Sequence, residues 1–163
     1  ISPIKETGAT FEENALLKAK TVYDIVGFPV IGDDSGLEVT ALNNQPGIYS
    51  ARFAGNNATD EDNIEKILRK MHKIPLANRT ARFRCVVVML GAKNIDQPVV
   101  FRGEWMGYIA KERKGKHGFG YDPIFVDLKS NRTAAELNSS QKNKISHRGK
   151  AIQSLKSYLV STN

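Results

Sequence analysis

Apolar positions recur at helical spacing in the first part of the chain. Phe11, Ala15, Ala19, Val22, Tyr23 and Val26 follow one another at intervals of one turn, and Thr10 with Glu13 forms a capping-box pattern ahead of them. A helix over residues 11–26 follows, stopped by Gly27 and Pro29. Phe28 to Ile31 reads as a short buried strand that runs into a tight polar turn, Gly32-Asp33-Asp34-Ser35-Gly36, with Leu37 to Leu42 beyond it. Pro46-Gly47 marks another turn. Asp60 is placed to cap a second helix whose inner face is Ile64, Ile67, Leu68 and Met71, ending near Lys73 before Pro75.

The pattern then changes period. From Thr80 the residues Ala81, Phe83 and Cys85 alternate with Arg82 and Arg84, and the segment finishes as the unbroken run Val86 to Leu90. That is the pattern of a strand with one face wet at its start and both faces buried at its end. Val99 to Arg102 and Trp105 to Ala110 predict two further strands, with bulges at Gly103 and Gly107. Pro123 to Val126 is a last short apolar stretch, and helical sequence follows to the end with Ile145, Ile152, Leu155 and Leu159 on one side. No repeat, low-complexity tract or linker divides the chain. The expected fold is α/β: a mixed β-sheet flanked by helices, in one domain over residues 1–163.

Composition narrows the partners. A net charge of +7 favours anionic ones, and 40% hydrophobic with 25% charged residues is an ordinary globular balance. No apolar run approaches the roughly 18 residues of a membrane span. The single cysteine, Cys85, has no partner for an internal disulfide and sits in an expected core strand, so it reads as a small apolar packer. A reducing, cytoplasmic location is expected. The three histidines lack zinc-ligand spacing.

Four segments carry candidate chemistry, each with a plainer use. Asp33 and Asp34 between two glycines present hard oxygen donors for a cation such as Mg²⁺, or else form an Asx turn, the commoner role of Asp-Ser-Gly. Glu13 falls opposite the apolar stripe of its helix with Asn14 and Lys18 at its edge, so it faces a cleft or simply completes the cap. The loop Lys114 to Pro123 combines three glycines, the rings of Phe119 and Tyr121, and two lysines. Such a loop either holds a base or packs its aromatics into the core; it matches neither the P-loop nor the dinucleotide fingerprint. Lys142, Lys144, His147 and Arg148 gather cations near a helix start with Ser146 as a cap, a phosphate clamp or a solvated face. Taken together, carboxylates at Glu13 and Asp34 with cations around them fit metal-assisted chemistry on a polyphosphate.

In order along the chain, Thr10-Phe11-Glu12-Glu13-Asn14-Ala15, Asp33-Asp34-Ser35-Gly36-Leu37, Pro46 to Arg52, Phe119-Gly120-Tyr121-Asp122-Pro123 and Ile145-Ser146-His147-Arg148-Gly149 closely resemble the inosine triphosphate pyrophosphatase family. The resemblance implies Mg²⁺-dependent hydrolysis of ITP, dITP or XTP to the monophosphate and pyrophosphate in a nucleotide-binding cleft, by a homodimer, with no membrane and no obligatory nucleic acid. It implies that Glu13 and Asp34 hold the metal, that Asp34 activates the attacking water, and that Ser35 contacts substrate. By the same resemblance Phe119, Gly120, Tyr121 and Asp122 cover the base, with Phe119 stacking on it. Lys142 contacts the nucleotide, and His147 with Arg148 reads the purine edge.

One family feature has no counterpart. Nothing before Thr10 fits the core strand and [Ser/Thr]-x-Asn-x-x-Lys loop that grips the phosphates, so the chain is expected to be amino-terminally incomplete and impaired in turnover by itself. His117, where many relatives carry a small residue, is a second departure. Two other functions compete with the enzyme: a basic nucleic-acid-binding module whose affinity falls steeply with salt, and an inactive truncated partner for dimerisation.

Overall fold

The computed structural model describes residues 4–91 and 97–162. The expectation for residues 1–9 falls in part on residues 1–3, outside that set. Helix α1 spans Phe11–Val26, with Thr10 Oγ1 accepting from the Glu13 N–H at one end and Gly27 at φ 65° closing the other. The next segment corrects the sequence reading. Strand β1 runs unbroken over Val30–Val39, so Gly32-Asp33-Asp34-Ser35-Gly36 is not a turn. Its glycines serve close approach instead: a Cβ at Gly32 would lie 2.5 Å from the Ala15 carbonyl of α1, and one at Gly36 would lie 2.4 Å from the Gly47 carbonyl.

Strand β2 is the short pair Gln45–Pro46, followed by 3₁₀ turns over Gly47–Arg52. Helix α2 spans Asp60–Met71, and its cap is Thr59 rather than Asp60: Thr59 Oγ1 accepts from Asp62 N–H while the Asp62 carboxylate accepts from Thr59 N–H. Strand β3 is Thr80–Leu90, half wet and then buried on both faces as its residue pattern predicts. Strand β4 is one element, Val99–Ile109, in continuous register with β3, so Gly103 and Gly107 are not bulges. A Cβ at Gly103 would strike the His147 carbonyl at 2.0 Å, and one at Gly107 the Phe125 ring at 2.4 Å. Strand β5 is Phe125–Asp127. The terminal helical stretch is two helices, α3 over Ser139–Ile145 and α4 over His147–Ser161, with Ser146 Oγ accepting from Gly149 N–H at the junction.

The α/β class holds, as a sheet of order β2-β1-β3-β4-β5 flanked by helices. Among the described residues every strand pair is antiparallel, where a mixed sheet was expected. Strand alternation assigns the faces. Val86 and Val88 of β3 meet Phe11, Ala15 and Ala19 of α1, while Cys85, Val87 and Met89 meet Ala151 and Leu155 of α4. On that second face, toward the other end of the sheet, Leu37, Phe83 and Trp105 pack on Ile64, Ile67 and Met71 of α2. The inner face of α4 is therefore His147, Ala151, Leu155 and Tyr158, and the expected Ile152 and Leu159 are solvent-exposed. Among the described residues no helix is long and apolar enough to cross a membrane.

Candidate active site

Because β1 is a strand, Asp33 and Asp34 point to opposite faces of the sheet and do not share one cation. Asp34 turns toward α1 and is buried. Its Oδ1 accepts from Lys18 Nζ at 2.8 Å and its Oδ2 from Asn14 Nδ2 at 3.4 Å. Asn14 and Lys18, one turn apart on α1, thus meet the same carboxylate. Lys18 also contacts Glu6 at 3.1 Å, and Glu6 accepts from Arg52 at 2.9 Å. Burial lifts the Asp34 pKa above the ordinary carboxylate value even though Lys18 and Asn14 pull it down. Burial also acts against the Lys18 ammonium, but Asp34 and Glu6 outweigh it and raise its pKa.

Glu13 sits beside Asn14 but its carboxylate accepts from Ala9 N–H at 2.6 Å, so it completes the helix start. It is exposed and borders an adjoining groove with Thr10, Pro46 and Tyr49. Among the described residues no cluster of three or more His, Cys, Asp or Glu side chains is arranged around a metal position. That does not conflict with Mg²⁺, which takes one or two carboxylates and completes its shell with water and substrate phosphate.

On the other face, Asp33 and Ser35 both meet Arg148 from the start of α4. Arg148 Nη2 lies 2.9 Å from Asp33 Oδ2 and 3.0 Å from Ser35 Oγ, and Nε lies 3.2 Å from Asp33 Oδ2. Ser35 also borders a cavity of about 230 Å³ into which Phe119, Gly120, Tyr121, Asp122, Lys142 and His147 converge. The loop is self-braced: Asp122 Oδ2 accepts from Phe119 N–H at 3.0 Å and pairs with Lys142. A side chain at Gly118, φ 81°, would collide with that carboxylate. The Phe119 ring is 64% exposed, with Lys142 Nζ 4.6 Å and the Arg148 guanidinium 5.9 Å from its centre. Tyr121 is buried, donates its hydroxyl to the Ser50 carbonyl at 2.8 Å, and has its pKa raised by that burial.

His147 forms the inner wall, stacked on Phe83 at 4.7 Å between ring centres. Burial, with the nearby charges of Arg148, Lys142 and Lys150, lowers its pKa to about 3, so the imidazole is neutral. Its Nδ1 is buried with no hydrogen-bond partner among the described residues. An unpartnered polar atom in the wall of a cavity is a contact reserved for a ligand or for ordered water.

The structure therefore gathers seven of the residues expected from sequence around one cavity, with Arg148 bonded to Ser35 at its edge and Asp34, next to Ser35 in β1, turned to the opposite face of the sheet. Lys144, Lys114, Lys116 and His117 are exposed and do not line it. Sequence reasoning missed Glu6, Asp60, Asn63 and Phe83. Phe83 was visible only as a core position, Asp60 only as a helix start, and Glu6 carried no signal. Arg52, the last residue of a recognised motif, had no role assigned.

The sequence profile of the Ham1 family matches residues 1–158. The dITP/XTP pyrophosphatase of Vibrio parahaemolyticus is 50% identical over 155 residues, covering 95% of this chain and 78% of the relative. That of Coxiella burnetii is 46% identical over 160 residues, covering 98% of this chain and 80% of the relative. The solved structure of the Staphylococcus aureus Ham1 protein superposes with a TM-score of 0.92 at 48% identity, covering 99% of this chain and 82% of that one. A Ham1 protein from Coxiella burnetii gives the same TM-score, 0.92, at 45% identity, with 99% and 82% covered. On profile, identity and fold alike, the chain belongs to the Ham1 family.

Proposed function

We propose that this protein hydrolyses non-standard purine nucleoside triphosphates, ITP, dITP and XTP, to the monophosphate and pyrophosphate. Relatives near 50% identity that carry the name dITP/XTP pyrophosphatase support the activity. The observation that carries the reading for this chain is the convergence of Phe119, Tyr121, Lys142 and His147 on one base-sized cavity bordered by Ser35, next along β1 to Asp34.

In this reading the base enters between the exposed Phe119 ring and the His147 wall. Lys142 lines the cavity and Arg148 stands beside it, steadied by Asp33 and Ser35. Hypoxanthine and xanthine present an acceptor oxygen at C6, where adenine presents an amino group. A donor from Arg148 is satisfied by the first two and left unpaired by the third, at roughly 1 to 3 kcal/mol, about 5- to 150-fold in selection. Asp34 takes the proton of the attacking water as the α,β-phosphoanhydride breaks and pyrophosphate leaves, and its raised pKa suits that of a base. Lys18, paired with both Asp34 and Glu6, and Arg52, joined to it through Glu6, are the cations on that side for the phosphate charge. Asp34 and Glu13 are the oxygen donors that would hold Mg²⁺, which when bound supplies charge neutralisation for the polyphosphate.

The wider reading is a single domain that works as a homodimer in the cytoplasm, without a membrane and without nucleic acid. The test is product identity: one pyrophosphate per dIMP formed from dITP in Mg²⁺. Release of orthophosphate, or oligonucleotide binding with no turnover, overturns the proposal.

A further inference from the structure

At the tip of the base loop, one backbone N–H is held by a side chain from outside the loop, that of Gly120. Within the loop, Phe119 N–H is tied to Asp122, and α3 reaches Asp122 through Lys142. The Gly120 N–H instead donates to Asp60 Oδ2 at 2.6 Å, across from the first residue of α2. Asp60 is not needed to cap that helix, since Thr59 and Asp62 already satisfy each other there. Among the described residues Gly120 N–H is the sole hydrogen-bond partner of its carboxylate.

The same turn of α2 braces the opposite wall. Asn63, one turn on and buried, donates from Nδ2 to the Ala51 carbonyl at 3.1 Å and accepts at Oδ1 from Ala54 N–H at 2.7 Å. Tyr121 then joins the two walls through the Ser50 carbonyl. The bonds close a ring around the cavity, from Asp60 to Gly120 and Tyr121, to Ser50 and Ala51, and back through Asn63 to α2. Asp60, Asn63, Ser50 and Tyr121 all line the cavity.

We propose that Asp60 is a positioning residue for base binding: its carboxylate latches Gly120 so that the Phe119 ring is held over the cavity. This rests on the reading that the cavity takes a purine base. Without the latch the loop tip gains conformations that do not cover the base, and binding must restrict them again. A hydrogen bond to a charged acceptor is among the stronger ones, but Asp60 is exposed, so the expected effect is moderate, about three- to tenfold.

The experiment compares wild type, Asp60→Ala and Asp60→Asn. Asn keeps an oxygen acceptor for the Gly120 N–H, and both variants keep the Thr59–Asp62 cap. The latch predicts that Asp60→Ala weakens IMP binding about three- to tenfold and raises KM for dITP by the same factor, with kcat within about twofold. Inhibition by tripolyphosphate, which has no base, stays unchanged, and Asp60→Asn stays within about twofold of wild type throughout. Amide hydrogen exchange at Gly120 accelerates in Asp60→Ala while that at Ala54 does not. Unchanged IMP binding and Gly120 exchange in Asp60→Ala overturns the latch, as does an equal weakening of IMP and tripolyphosphate. Failure of wild type to bind IMP would instead overturn the function reading, and Gly120 exchange would still decide the latch.

Discussion

Lys18 Nζ lies 2.8 Å from Asp34 Oδ1, and the pair is formed between the second turn of α1 and the middle of β1, where Gly32 and Gly36 let the helix and the loop at Gly47 approach the sheet. The carboxylate assigned to water activation is thus held by a cation and an amide from one helix face. Removing the cation leaves a buried carboxylate with Asn14 as its one side-chain partner among the described residues.

Lys18→Met is therefore expected to cost about 1 to 2 kcal/mol of stability, less than the roughly 3 to 5 for breaking a fully buried pair because Lys18 retains solvent contact. Asp34→Asn removes the orphaned charge, so the double variant recovers part of the loss. Urea denaturation of the four proteins in a double-mutant cycle measures this. Additive losses would mean that the two side chains do not interact. Asp34→Asn alone is expected to keep the fold by circular dichroism while pyrophosphate release drops by about 100-fold or more.

Phe119 offers its ring to solvent at the cavity mouth, so its removal is expected to act on binding rather than on the reacting bond. Base–aromatic stacking is worth roughly 1 to 3 kcal/mol, so Phe119→Ala should raise KM for dITP by about 5- to 150-fold with kcat little changed. Inhibition by tripolyphosphate should not move. Steady-state kinetics decides it, and a loss confined to kcat would contradict a stacking role.

His147 links the cavity to acid stability. Its unfolded pKa is near the ordinary imidazole value, about 6.5, and burial holds the folded one at about 3. Between those values the unfolded chain binds more protons, so the contribution of neutral His147 is complete above about pH 6.5 and is lost as pH falls toward 3. His147→Phe, which keeps a ring against Phe83, should show a shallower fall in urea midpoint between pH 7 and pH 4. An identical slope would place the acid sensitivity elsewhere.

Arg79 tests the other end of the core. Its buried guanidinium donates to the carbonyls of Met71 at 2.6 Å, Ile109 at 2.7 Å and Ala110 at 2.7 Å, joining the end of α2 to the end of β4. Arg79→Met removes a buried donor from each of these carbonyls, of which Met71 still accepts from Ile74 N–H, and should destabilise by about 2 to 4 kcal/mol, with KM for dITP unchanged under conditions where the protein remains folded. Thermal unfolding reads the first part and kinetics the second.

Much of this was legible in the residue pattern, for physical reasons. The alternation through Arg84 and the apolar run after it located β3 to the residue, because the end of a strand between two helices must be apolar on both faces. The Thr10 and Ser146 caps were equally plain. What misled was glycine. Gly32, Gly36, Gly103 and Gly107 read as turns or bulges, yet each lies within a regular strand at a point where a helix, loop or ring comes too close for a Cβ. That demand arises from tertiary contact, which neighbouring residues in sequence do not encode. The same holds for the site. Motif order pointed to Phe119, Lys142 and His147, while Asp60 and Asn63 act through partners elsewhere in the chain and look locally like an ordinary helix start.

The most direct test of the account is kcat/KM for dITP against dATP, measured as pyrophosphate release in Mg²⁺ with this chain. A donor satisfied by the C6 oxygen and frustrated by the amino group predicts a preference for dITP of at least about fivefold. Equal specificity for the two nucleotides would contradict the assignment of the cavity as a site that reads the purine edge.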